Sequence, residues 1–292
     1  MSFHVPRRGE VLSRDIADYP GGIVLPVNKP FRWTSADVIR KLKFAAIRHF
    51  GKKNLKVGHA GTLDPLATGV LLVCVGPACK MAQTLQDHDK EYIADIRFGA
   101  TTPSYDLEKE VDRTFPYDHV TEAALRLVLP SFVGEQEQVA PLFSAKSVDG
   151  VRAYEMARKL YRQAQKGTVA SDFDAAALEI LHKSRITVHA LDLLGFRSGD
   201  DTPPSRPFAE GAGNASGRIH VADTSSLRLP HADIRIVCSK GTYIRAFARD
   251  LGEALGTGAH LDSLVRTRTG DYTIKDALPL EDVLALLADP EG

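Results

Sequence analysis

The chain has 292 residues, 43% hydrophobic and 25% charged, with 37 basic side chains against 37 acidic ones. That is enough for a sizeable buried core in one large domain or two smaller ones, and it excludes a disordered or fibrous chain. No apolar run reaches the length of a membrane span, and the three cysteines show no zinc-like Cys/His spacing.

Gly22 to Val27 reads as a strand, followed by a turn at Lys29-Pro30. Thr34 or Ser35 then caps a helix carrying Val38, Ile39, Leu42, Ala45 and Ile47 at helical spacing. Leu55 to Val57 and Val70 to Val75 are short apolar strands, Lys80 to Leu85 is helical, and Tyr92 to Phe98 alternates like a strand. Thr121 to Val128 and Gly150 to Tyr161 read as helices, and Leu178 to Ile186, Ile234 to Cys238 and Leu261 to Thr267 as strands. Ile244 to Leu255 is a helix closed by Gly256 in the usual capping position. Strands and helices are interspersed without a regular βαβ rhythm, which predicts an α+β fold with a mixed or antiparallel central sheet. Asp200 to Ser226, rich in Gly, Pro, Ser and Asp, reads as a flexible surface excursion.

The zero net charge argues against a polyanion partner only until its distribution is read. Between Asp37 and Asp64 there is no acid, while Arg40, Lys41, Lys43, Arg48, Lys52, Lys53 and Lys56 all fall there. A one-signed block usually marks a solvated helix face, but this one leads directly to Asp64 and reads as a phosphate-binding surface. The N-terminus lacks the apolar segment of a secretory signal, and Cys74, Cys79 and Cys238 read as reduced thiols, so a cytoplasmic protein is expected.

Gly58 to Gly69, Gly-His-Ala-Gly-Thr-Leu-Asp-Pro-Leu-Ala-Thr-Gly, is the most informative run. Pro65 pushes Asp64 out of helical geometry, and the flanking glycines permit tight bends or close approach of another molecule. Asp-Pro is also an ordinary turn dipeptide, but the pattern is much longer than a turn needs.

This run resembles the active-site motif of TruB-type pseudouridine synthases. The likeness continues in Lys90-Glu91-Tyr92, in Ser239-Lys240-Gly241-Thr242-Tyr243-Ile244-Arg245 and in Gly258-Ala259-His260-Leu261, covering about Gly22 to about Tyr272. It implies the pseudouridine synthase fold, a mixed or antiparallel central sheet flanked by helices, in a single catalytic domain spanning residues 1–292. It also implies an RNA-gripping insertion at about 140–185 and no C-terminal PUA domain. The implied activity is isomerisation of uridine-55 in the T-arm loop of tRNA, by base flipping and covalent catalysis.

By the same resemblance Asp64 is the nucleophile, Arg245 the cation that keeps it charged and aimed, and Tyr92 the aromatic that stacks on the flipped uracil. Read without the likeness, Tyr92 is strand packing and Arg245 a helix-surface residue. His59, Lys80, Asp106, Tyr243, Leu264 and Arg266 fall where the family places further substrate or RNA contacts. Leu264 also fits the core, and Arg266 shares a strand face with Arg268 where phosphate contact is expected. Ala60 replaces a common threonine and Pro103 a common acid. No metal or cofactor is implied, the partner is tRNA, and a monomer is expected. Attack by Asp64 on ribose C1′ and on uracil C6 both remain open. A guide-dependent synthase and an RNA-binding tRNA folding factor are the alternative readings; a two-carboxylate glycosidase lacks its second acid beside the loop.

Overall fold

The computed structural model describes residues 2–144, 147–148, 151–152, 155–157, 159, 161, 183–199 and 219–288. Most of the expected RNA-gripping insertion and positions 200–218 of the expected excursion lie outside the described residues. Of the helix expected over Gly150 to Tyr161, Val151 and Arg152 form a strand instead, paired with Ser147 and Val148, while residues 155–157, 159 and 161 are helical.

In chain order the elements are β1 (Ile23–Lys29), α1 (Ser35–His49), β2 (Val57–His59), β3 (Ala67–Val75), α2 (Ala82–Asp87), β4 (Lys90–Phe98), β5 (Ala100–Thr101) and β6 (Arg113–Thr114). They continue through α3 (Glu122–Val128), β7 (Gly134–Gln138), the hairpin β8 (Ser147–Val148) and β9 (Val151–Arg152), β10 (Ser184–Arg197) and β11 (His231–Cys238). The last are α4 (Ile244–Ala254), β12 (Ala259–Thr269), β13 (Tyr272–Thr273), β14 (Leu278–Pro279) and α5 (Leu280–Leu286). The chain divides into two compact units. Unit 1 is Met1–Ile93, Pro207–Ile219 and Leu264–Gly292; unit 2 is Ala94–Arg206 and His220–Ser263.

In unit 1, β3 is the organising strand. β1 pairs antiparallel with it along one edge, from Ile23 opposite Val75 to Lys29 opposite Gly69. Two strands share the other edge: β2 runs antiparallel at Val73–Val75, and β12 runs parallel at Ala67–Gly69. Residues 60–66, which include Asp64, connect β2 to β3 over the stretch where one partner strand gives way to the other. β3 is buried on both faces, as its unbroken apolar sequence requires. Leu71, Val73 and Val75 pack with Ile23, Leu25 and Val27 against α1 and α5, while Val70, Leu72 and Cys74 pack against Ala60, Ala78 and Leu85.

α1 begins where a capping box forms. The Thr34 hydroxyl accepts from the Asp37 amide at 3.0 Å and the Asp37 carboxylate accepts from the Thr34 amide at 3.1 Å. Val38, Leu42 and Ala46 recur every four residues and are fully buried, which turns the helix's basic residues outward.

Unit 2 carries the strand order β4-β11-β10-β7. β10 runs to Arg197, well beyond the expected end at Ile186, with register shifts at Val188/Ala190 and Leu193/Gly195. Those bulges break the alternation by which a strand is recognised in sequence. α4 is buried on nearly every side, Arg245 and Arg249 included.

Candidate active site

The Asp64 loop is held by its own carbonyls. Five consecutive ones, from residue 61 to residue 65, each accept a hydrogen bond. Arg266 donates from Nη2 to Gly61 O at 3.3 Å and from Nη1 to Thr62 O at 3.2 Å. The Ser35 hydroxyl donates to Leu63 O and accepts from Leu63 N, both at 2.9 Å. Ala67 N donates to Asp64 O at 3.1 Å, and Lys29 Nζ donates to Pro65 O at 3.3 Å. A loop tied at every residue loses little further freedom when a substrate binds, which is what a positioned nucleophile needs.

Both cations are inside the protein. Lys29 is 0% exposed and Arg266 is 1% exposed. Lys29 spends its other two hydrogens on Pro30 O at 2.9 Å and Trp33 O at 2.6 Å, so the clamp uses all three protons of an ammonium. Burial pushes its pKa down to about 7; the Asp64 carboxylate opposes that drop and Arg266 adds to it. The half-buried Asp64 carboxylate is therefore close enough to compensate a charge that the fold would otherwise expel.

Arg266 also donates from Nε to Val70 O at 2.7 Å. This corrects the expectation of a phosphate contact at Arg266, which is buried, while Arg268 on the same strand face stays 31% exposed. Gly69 is the counterpart of this packing. Its φ is +100°, and a Cβ there would lie 2.2 Å from the Arg266 carbonyl oxygen, so only glycine lets β12 join β3 at this register.

His59 ends β2, half-buried, with its Nδ1 lacking a hydrogen-bond partner among the described residues. Burial first, then Arg266, lowers its pKa, so at neutral pH it is an uncharged imidazole. Tyr92 lies on β4 and is 8% exposed, on the opposite face from Glu91, which accepts from the Thr267 hydroxyl at 2.9 Å. Leu264 is buried on β12 opposite Ala67, beside the loop's return to the sheet. Lys80 is exposed and lines a cavity with Lys52 and Lys56; it takes no part in holding the loop.

The second motif lies in unit 2. Arg245, in the first turn of α4, is 5% exposed; its Nε is 3.6 Å from Asp106 Oδ2, and its Nη1 donates to Ser104 O at 3.1 Å. Asp106 is fixed in turn, accepting at Oδ1 from the Ser104 hydroxyl at 2.6 Å and from Glu108 N at 2.9 Å. Asp106 thus holds a guanidinium, a role that sequence did not assign to it. Tyr243 caps α4, and its backbone is clasped at both ends by the Gln138 amide, which accepts from Tyr243 N at 2.8 Å and donates to Tyr243 O at 3.1 Å.

Sequence reading missed Lys29, Ser35, Ser104 and Gln138 as supports. Lys29 carried a legible sign, a lysine in an apolar strand just before proline. The other three depend on contacts between segments far apart in the chain.

The sequence matches the family described as TruB family pseudouridylate synthase (N terminal domain) over residues 48–198, and the tRNA pseudouridylate synthase B C-terminal domain over 245–291. The relative from Phocaeicola vulgatus, named tRNA pseudouridine synthase B, is 42% identical over 264 residues, covering 90% of this chain and 92% of the relative. The chain belongs to the TruB family. A relative of the same name from Bacteroides thetaiotaomicron is 44% identical with the same coverage, and one from Deinococcus radiodurans is 36% identical over 89% of this chain and 78% of its own.

Among solved structures, a Cbf5-Nop10-Gar1 complex matches with TM-score 0.55 at 24% identity, and an H/ACA RNP bound to a substrate RNA containing 2′-deoxyuridine with TM-score 0.53 at 21%. Each match covers 91% of this chain and about half of the other (54% and 53%). At that identity the likeness establishes the fold, which is the pseudouridine synthase fold that sequence implied.

Proposed function

We propose that this protein converts uridine-55 in the T-arm loop of tRNA to pseudouridine, acting as a monomer on free tRNA without a guide or partner protein. The observation that carries the reading is the Asp64 loop, a carboxylate on a backbone bonded at five successive carbonyls within a family whose named members act on tRNA.

The reaction breaks the N1–C1′ bond, turns the uracil, and joins C5 to C1′; the C5 hydrogen leaves as a proton and N1 gains one. Asp64 supplies the nucleophile, either at C1′, displacing uracil, or at C6, adding across the C5–C6 bond. Arg245 is the cation this reading assigns to the reaction, Tyr92 stacks on the everted base and serves the C5 proton, and neutral His59 helps hold the base outside the RNA stack. Flipping costs a few kcal/mol, and stacking on one aromatic face returns about 1–3 kcal/mol of it. Tyr243, Lys80 and Leu264 complete the substrate contacts in this reading.

The test is incubation with unmodified tRNA transcript followed by chemical mapping. Pseudouridine is expected at position 55 with wild-type protein, and a loss of at least about a thousandfold in rate with Asp64→Asn. A wild type that needs added guide RNA would establish the guide-dependent alternative. An Asp64→Asn variant as active as wild type would remove the proposed nucleophile.

A further inference from the structure

α1 is amphipathic in an unusual way. Opposite its buried Val38, Leu42 and Ala46 lie Arg40, Phe44 and Arg48, one turn apart on a single outer stripe. Phe44 is 67% exposed, with Lys41 and Lys43 beside it in sequence. An exposed phenylalanine within a basic stripe costs solubility, and single-stranded nucleic acid is the polyanion that uses both features, phosphate on the cations and base on the ring.

At the C-terminal end of α1, a cavity of about 610 Å³ is lined by Tyr19, Phe50 and Leu55 together with Lys52, Lys56 and Lys80. Its volume falls within the roughly 300–1,000 Å³ range of small-ligand sites. Asp15 is the acid among the lining residues, and its Oδ1 is engaged by Ala17 N at 2.8 Å. The lysine turn is fixed by its backbone, Lys52 O accepting from Leu55 N and Lys56 O from Gly76 N.

This cavity is separate from the Asp64 loop. α1 starts at Ser35, which bonds Leu63, and its 15 residues run roughly 22 Å before Phe50. Along the sheet, the loop rejoins at Ala67 and the cavity opens beyond Val75, roughly 26 Å of strand away. An occupant cannot be the reacting nucleotide.

We infer that the outer stripe of α1 and the cavity at its end bind a segment of the substrate RNA away from the modified uridine, the cavity taking one nucleotide with its base against Tyr19 and Phe50 and its phosphate among Lys52, Lys56 and Lys80. The inference rests on the tRNA reading above. Several cations spread from Arg48 to the lysines of the cavity favour a polymer over a free mononucleotide, because each further phosphate releases further counterions; Arg40 is already paired with Asp37 at 2.9 Å.

The test measures tRNA binding in an Asp64→Asn background, where no turnover intervenes, across a salt series. The Lys52→Ala/Lys56→Ala pair is expected to weaken binding roughly tenfold and to flatten the salt slope by about 1.5. Phe44→Ala and the cavity-filling Ala17→Trp are each expected to weaken it several-fold. As an independent readout on wild type, alkylation of Cys79, which lines the cavity, should slow when tRNA is bound; burial raises that thiol's pKa, so the reaction is followed at about pH 9. Unchanged affinity and slope in all three variants, or Cys79 protected by uridine monophosphate and not by tRNA, would overturn the inference. Neither result would touch the assignment of Asp64, whose failure shows instead as absent pseudouridine.

Discussion

Ser35 fixes Leu63, the residue before Asp64, with one hydroxyl used twice, and nothing in its own sequence neighbourhood distinguishes it from a capping serine. Ser35→Ala leaves the amide and carbonyl of buried Leu63 without partners, at a cost of about 1–3 kcal/mol in stability. The freed loop should also lower kcat by about 10- to 100-fold with KM little changed, and Ser35→Thr, which keeps the hydroxyl, should recover much of it. An equal loss in KM would mean that Ser35 serves binding instead. Lys29 makes a prediction in pH. Its folded pKa of about 7 lies below the ordinary 10.5, so between those values the unfolded chain binds the proton that the folded one has released. Its contribution to stability therefore rises with pH from 7 to 10.5. Chemical denaturation of wild type and Lys29→Met across that window should show a rise in wild type that the variant lacks; parallel curves would refute it.

At the scale of elements, legibility followed locality. α1 was readable because its cap, its core stripe and its end all lie within sixteen residues of sequence. The sequence predicts β3 over Val70–Val75, three residues short, because Ala67 and Thr68 become strand by pairing with Leu264 and Val265, and Gly69 by pairing with Lys29 and Arg266, all distant in the chain. β12 also carries a pH-sensitive pair in unit 2. His260 is fully buried with its pKa pushed down to about 4, so stability falls as pH drops from 6.5 to 4 and the unfolded chain takes up the proton alone. Asp262 is pushed up to about 6 by burial despite the Arg97 guanidinium 2.9 Å away, so stability rises as pH drops from 6 to 3.8. The two nearly offset each other. Asp262→Asn removes the second contribution, and its unfolding free energy should fall more steeply between pH 6 and 4 than that of wild type. Equal slopes would show that the offset is not real.

For the whole molecule, the α+β class and the family were legible because the informative residues stand in short motifs whose order survives in sequence. The placement of charge was half legible. The basic block between Asp37 and Asp64 was visible as a run, but only the helix shows that Arg40, Phe44 and Arg48 share one stripe and that Lys52 and Lys56 end at a cavity. Arg266 shows the opposite case, a charge expected on the surface and found inside as a support for the loop. The proposed activity requires Asp64 to act on uridine in tRNA. Release of tritium from uracil C5 of labelled, unmodified tRNA reports that chemistry directly, because forming the C5–C1′ bond expels that hydrogen. Wild type should release one tritium per tRNA, from the T-arm position, and Asp64→Asn none above background while still binding tRNA. Release by Asp64→Asn at the wild-type rate, or none from wild type on tRNA it demonstrably binds, would contradict it.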